Sequence, residues 1–256
     1  MLSILLALST VSTLRLYSTH LHPHNKLIIP ETMKLLPLLI LGLQKSALLK
    51  GAREVNTDDR ANVLFQLMMM PLESVMTLLY PKCYPLLDLS MVQLQAAEGA
   101  GAGGGQGAGG AGSGGPCLVP GSLPPTLPLT LNSIRDKGIY LFDNGLEMYI
   151  WIGRQISPKW LVDVFGVGEN PSPQDLLALD VHSGGEQKNA TSAKVFAIVT
   201  HLRSRSPFHQ NCTVVRQGDP MEAQILPWLV EDKGQSVYSY TNYLGYIHKC
   251  CLTRTN

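Results

Sequence analysis

The stretch 138–153, GIYLFDNGLEMYIWIG, restricts the fold of this chain more than any other. Two apolar runs flank Asn144-Gly145, a dipeptide that tolerates the positive φ angles of a type I′ turn, so the segment reads as a β-hairpin with a two-residue loop. With Asp143 opposite Leu146, one face carries Ile139, Leu141, Leu146, Met148, Ile150 and Ile152. The other carries Tyr140, Phe142, Tyr149 and Trp151, with Glu147 as its one charge. Both faces are apolar. A hairpin with one wet side alternates polar with apolar. This pair is therefore expected mid-sheet, with helices packed on both faces.

The flanking sequence supplies those helices. Ser157-Pro158 is a helix start, serine as cap and proline in the first turn, with Trp160, Leu161, Val164 and Phe165 following as an apolar face. Residues 166–185 read mostly as loop. A longer helix over 186–203 buries Val195, Ile198, Val199 and Leu202 at i, i+3, i+4 and i+7. Residues 212–216 form a strand, and Asp219, Pro220 and Glu222 open a further helix in a capping-box arrangement. Pro227 has no place inside that helix. A last helix presents Val237, Tyr240, Leu244, Ile247 and Cys251 on one side. Together with a first strand expected at 129–134, these elements make a mixed α/β domain around a central sheet.

Upstream the pattern is helical from Pro30 to about Tyr80. Leu35, Leu36, Leu39, Ile40 and Leu43 form one apolar band, which Pro37 should kink or split. Thr57 is the expected cap of the next helix, with Asp58 and Asp59 where the helix dipole favours negative charge. Ala61, Leu64, Phe65, Met68 and Met69 follow at helical spacing and are expected in the core, the run Met68-Met69-Met70 included. Pro71 opens a short helix ending near Tyr80. Residues 2–11, LSILLALSTV, lack the basic flank and cleavage site of a signal peptide and are too short to span a bilayer. They read as a buried helix whose partners lie elsewhere.

Residues 96–115, AAEGAGAGGGQGAGGAGSGG, contain too much glycine to order without packed side chains, and they lack the flanking elements and Lys-Ser/Thr ending of a phosphate-binding loop. They read as a linker or insertion, continued by a proline-rich connector over 116–128. The expected division is thus a helical domain at 1–95, a Gly/Pro-rich linker at 96–128, a sheet domain at 129–234 and a C-terminal helix at 235–256.

No constellation in the sequence points to catalysis, a metal or a cofactor. Asp58 and Asp59 diverge in direction as neighbours in a helical turn, and His182, His201, His209 and His248 have no serine or cysteine partner in a triad context. The alternating His20, His22 and His24 are interrupted by Pro23. The five cysteines, Cys83, Cys117, Cys212, Cys250 and Cys251, contain no C-x-x-C pair, and their odd number suits a reducing compartment. Sequons stand at Asn189 and Asn211, the second within an expected strand. A net charge of +1 without a basic run argues against nucleic acid. A charged fraction of only 15% implies surface that a partner covers.

Several blocks carry a family resemblance. LFDNGLEMYIWIG followed by a short helix, a long helix and TVVRQGD resembles the gelsolin-like domain. In order, IIPETMKLLPLLILGLQKSALL, TDDRANV, LLYPKCYPLLDL, DNGLEMYIWIGR, VVRQGDPMEAQILPWLVEDK and TNYLGYIHK resemble the C-terminal part of the cargo-adaptor subunit of the COPII coat, the Sec24 family. The resemblance spans about residues 27–249. It implies an α+β chain: an all-helical domain, then a gelsolin-like α/β/α domain with a central mixed sheet, the final helix returning to the helical domain. It further implies a non-enzymatic, cofactor-free coat component in endoplasmic reticulum to Golgi transport, on the cytosolic face of exit sites and vesicles. The implied partners are other coat subunits, including the GTPase-activating one that holds the stimulating arginine, together with cargo or SNARE tails and a membrane reached through the coat. The family's zinc finger, trunk and β-sandwich precede this region, so the chain is expected to be a fragment or truncated copy. The family's main sorting-signal pockets lie on the trunk, so no cargo-binding residue is carried over. The alternative is a calcium-dependent actin-binding protein of the gelsolin and villin type, because the same small fold serves there.

Overall fold

The structure, a computed structural model, describes residues 9–14, 16, 29–50, 55–95, 117–166, 190–233 and 238–252. Two compact units divide them: one draws on residues 1–81, 128–133 and 224–256, the other on 82–127 and 134–223. The units interleave along the chain.

The second unit is built on a four-stranded sheet of order β1-β4-β5-β6, in which β1 is Lys82–Pro85, β4 Ile139–Asp143, β5 Glu147–Ile152 and β6 Asn211–Arg216, while β2, Leu94–Gln95, and β3, Cys117–Leu118, pair as a separate two-stranded ladder. The hairpin strands β4 and β5 are the two central ones. β1 and β4 run antiparallel, as do β4 and β5, while β5 and β6 are parallel, so the sheet is mixed. A parallel pair needs a crossover, and the helices Pro158–Phe165 and Ala190–Arg205 lie on that connection. They cover the aliphatic face: Ile139, Leu141, Met148, Ile150 and Ile152 pack with Leu161, Val195, Ile198, Val199 and Leu202. Each of those fully buried strand side chains contributes about 1.5–3 kcal/mol. All four residues expected to be buried on the long helix are buried, and Ala193 and Ala197 are buried beside them. The aromatic face is buried as well. Tyr140 and Trp151 lie 5.7 Å apart at 42°, and Trp151 Nε1 donates to Glu222 Oε1 at 2.9 Å.

The hairpin differs from its expected register by two residues. Asp143 pairs with Met148, not Leu146, and Ile139 with Ile152. The loop is therefore Gly145-Leu146, with Gly145 at φ +86° in the first loop position, where type II′ turns take glycine. Asn144 is committed otherwise. Its Oδ1 accepts the Leu146 and Glu147 N–H groups at 2.8 Å each, while Asp143 Oδ1 accepts the Gly145 N–H at 2.8 Å. Because the shift is even, every strand side chain keeps its predicted face.

Two further expectations are corrected. The first strand of the sheet is the edge strand β1, not 129–134, where Leu131–Ser133 forms a 3₁₀ turn. Pro81 and Pro85 bracket a run too short to show alternation, and proline is tolerated at the end of an edge strand. The proline-rich connector lies alongside, Leu127 N–H donating to Cys83 O at 2.8 Å. Nor does Asp219 cap through its side chain. Its Oδ2 takes the Arg216 N–H at 3.1 Å, and the short helix Glu222–Ile225 starts later, with Glu222 Oε2 accepting from Gly218. That helix ends before Pro227, which sits in the first turn of the 3₁₀ helix Leu226–Trp228, where a missing N–H costs nothing.

In the first unit, residues 9–14 are helical and bury Thr10, Val11 and Leu14, whereas Leu16 is exposed. The rest of the expected 2–11 helix lies outside the described residues. Pro37 splits the next segment as expected: a 3₁₀ turn, Glu31–Met33, precedes the helix Leu36–Lys45, and Pro37 stands in that helix's first turn. Its buried stripe is Pro37, Leu38, Leu41, Gly42 and Gln44, rotated from the expected band, and Leu35 is exposed. The rotation follows from Gly42, where a Cβ would overlap the Leu79 carbonyl: the helix Leu72–Leu79 approaches by backbone rather than by side chain. The last helix, Tyr240–Leu252, packs on Leu36–Lys45 as the resemblance implies. It buries Ile247 and, unforeseen, Tyr243, while Tyr240, Leu244 and Cys251 are half-buried. Val237 lies outside the described residues. Burial pushes the Tyr243 phenol up to about 12, and Thr10 and Gln44 face its hydroxyl without closing a hydrogen bond of ordinary geometry.

Polar groups tie the passes of this unit together. Glu231 Oε1 accepts from Tyr80 Oη at 2.6 Å and from Leu129 N–H at 3.0 Å, and Glu231 O accepts the Tyr240 N–H at 2.9 Å. Lys45 Nζ donates to the Val230 carbonyl at 2.6 Å and also to that of Asp232. Burial and the adjacent Glu231 carboxylate both raise the Tyr80 pKa.

Candidate functional site

The structure does not bring the titratable residues considered in the sequence into one place. Asp58 and Asp59 lie in the first turn of the helix Thr57–Met69, whose cap residue is Asn56 and not Thr57, and both are exposed. His201 is half-buried on the Ala190–Arg205 helix, its pKa lowered by burial and by the nearby Arg205. His209 and His248 are exposed. His20, His22, His24, His182 and Asn189 lie outside the described residues. Cys83 and Cys212 are buried, and burial pushes the Cys83 thiol up to about 12, which leaves it without thiolate at neutral pH. Among the described residues no three or more His, Cys, Asp or Glu side chains gather as a metal site would require. No helix among them is long and apolar enough to cross a membrane.

One buried acid stands at the turn end of the hairpin. Asp143 is 6% exposed, and its Oδ1 accepts from Gly145 N–H and from Gln210 Nε2, each at 2.8 Å. Burial raises its pKa, and the two hydrogen bonds and Lys82 oppose the rise. Gln210 is itself buried, and its Oε1 has no hydrogen-bond partner. These contacts fix the turn. Ser206 Oγ adds a bond to the Gly145 carbonyl at 3.1 Å.

The feature with the form of an interaction surface is apolar and lies in the helical unit. The helix Thr57–Met69 buries none of its residues. Leu64, Phe65, Met68 and Met69 are exposed, Phe65 at 60% and Met68 at 76%, and Leu72 at the start of the next helix is exposed at 74%. The expectation that this helix and its methionine run belong to the core is overturned; of the three methionines only Met70 is buried. Periodicity correctly grouped Ala61, Leu64, Phe65 and Met68 on one face, but it carries no information about what lies against that face. Solvated apolar side chains in this concentration mark a surface made for a partner.

Comparison with known proteins assigns the two units. Residues 5–77 match the Sec23/Sec24 helical domain and residues 121–169 match the gelsolin repeat. The class is therefore a helical domain of the Sec23/Sec24 kind joined to a gelsolin-like fold. Within it the chain is similar to the C-terminal part of Sec24 proteins. It is 28% identical over 229 residues to the protein transport protein SEC24 A of Arabidopsis thaliana, covering 88% of this chain and 20% of that protein. It is 26% identical to human Sec24B, with 94% and 17% covered, and 30% identical to SEC24 of Pyricularia oryzae, with 86% and 22% covered. The fold also matches the crystal structure of the human COPII-coat protein Sec24c, with a TM-score of 0.72 and 27% identity over 97% of this chain and 29% of that one. The chain spans about a fifth of the length of the curated relatives it matches.

Proposed function

We propose that the chain is a non-enzymatic adaptor module of the COPII coat, acting in transport from the endoplasmic reticulum to the Golgi on the cytosolic face of exit sites and vesicles. The observation that carries this reading is the pairing, in one chain, of a Sec23/Sec24 helical domain with a gelsolin-like domain. A gelsolin-type actin binder gives no reason for the helical unit. The module works by surface complementarity: it presents rigid faces to other coat subunits, the GTPase-activating one among them, and to cargo or SNARE tails. It reaches the membrane through the coat rather than through a span of its own.

The test is co-sedimentation of the full chain with filamentous actin, with and without calcium, beside capture on the immobilised GTPase-activating coat subunit. Retention on the coat subunit with the chain left in the actin supernatant is the expected result. Calcium-dependent pelleting with actin and no retention on the subunit would replace the coat reading with the actin-binding one.

A further inference from the structure

We infer that the outward stripe of the helix Thr57–Met69 docks a basic amphipathic helix supplied by another polypeptide. The inference stands on exposed side chains and not on the coat reading. Phe65, Met68 and Met69 occupy i, i+3 and i+4 of one helix face, all in solvent. An amphipathic helix laid against such a face reads it by that same spacing. Methionine, unbranched and polarisable, adapts to an irregular apolar partner at low cost.

Charge selects the occupant. Asp58 lies seven residues before Phe65, two turns along the same face, with Asp59 beside it, and Glu73 lies just beyond the far end; all three are exposed. The one cation in that span, Arg60, turns its guanidinium to the Lys50 carbonyl at 3.0 Å. The stripe is thus apolar along its length and acidic at both ends. An anionic membrane, or a second copy presenting the same face, would bring negative charge against these carboxylates. A helix with leucines on one side and lysine or arginine at its ends brings opposite charge instead.

The test uses the full chain and a fluorescent peptide of about 18 residues, five helical turns, with leucines at i, i+3, i+4 and i+7 and lysines elsewhere. A peptide of equal composition with its leucines scattered serves as reference, and anisotropy reads binding. The amphipathic peptide should bind at least tenfold more tightly than the scattered one. Phe65→Ser with Met68→Ser should remove that margin, and Asp58→Lys with Asp59→Lys should weaken binding and flatten its dependence on salt. If the Phe65 variant melts early, Met68→Ser with Met69→Ser tests the same face. Equal binding of the two peptides, or serine variants that bind as the parent does, overturns the inference. Flotation with anionic vesicles that the serine variant loses would assign the stripe to a lipid surface. Self-association lost in that variant would assign it to a second copy, and either result also overturns the proposal.

Discussion

At the scale of single residues, Asp143 is a carboxylate whose surroundings favour its protonated form. Burial raises its folded-state pKa above the unfolded value, so the native chain holds that proton more tightly than the unfolded chain does. The resulting stability is fully present below the unfolded pKa, about 4, and is lost as pH rises through the folded value. Asp143→Asn keeps an acceptor for the Gly145 and Gln210 donors and removes the buried charge. Thermal unfolding from pH 4 to 7 should show the variant gaining on the parent as pH rises, with the two nearest each other at the acid end. A gap that moves the other way, with the variant falling behind towards pH 7, would mean that the two hydrogen bonds outweigh burial.

Among the elements, glycine provides a contrast within one unit. At Gly42 a Cβ would meet the Leu79 carbonyl, a backbone atom that cannot swing aside, whereas at Gly245, exposed on the helix Tyr240–Leu252, nothing lies within 4 Å. The same change should therefore act with opposite sign. Gly245→Ala is expected to stabilise by about 0.5–1 kcal/mol through helix propensity. Gly42→Ala is expected to lose about 1–3 kcal/mol to the overlap, reduced by that same propensity gain. Denaturant midpoints of the two variants check both, and a stabilised Gly42→Ala would show that the two helices separate freely. The elements are also where the sequence was most and least legible. Strand faces and the large buried residues of the Ala190–Arg205 helix could be read directly, because apolar periodicity reports which residues share a face. β1 was hidden by its length of four residues, the last of them a proline. The hairpin register was hidden by Asn144, whose side chain acts as an acceptor and leaves the left-handed position to Gly145. The outward stripe at Phe65 and Met68 was missed for another reason: a face made for burial looks the same in sequence whether the partner is in the chain or outside it.

For the whole molecule, a charged fraction of 15% and a solvated apolar helix point the same way, to a chain whose surface is finished by its partners. The strands around the glycine-rich run say what its removal should do. Leu94 pairs with Leu118 and Gln95 with Cys117, so the two ends of 96–116 already meet across an antiparallel ladder. Deleting residues 101–115 leaves 96–100 and 116, a connection close to ordinary hairpin length. Closing the shorter loop costs about 1 kcal/mol less entropy than closing the long one. The deleted chain should thus melt at the same temperature as the parent or a few degrees higher, with unchanged retention on the coat subunit. A fall of several degrees in a melting scan would mean that the run contributes packing, and loss of retention at an unchanged melting temperature would make it part of the interaction surface.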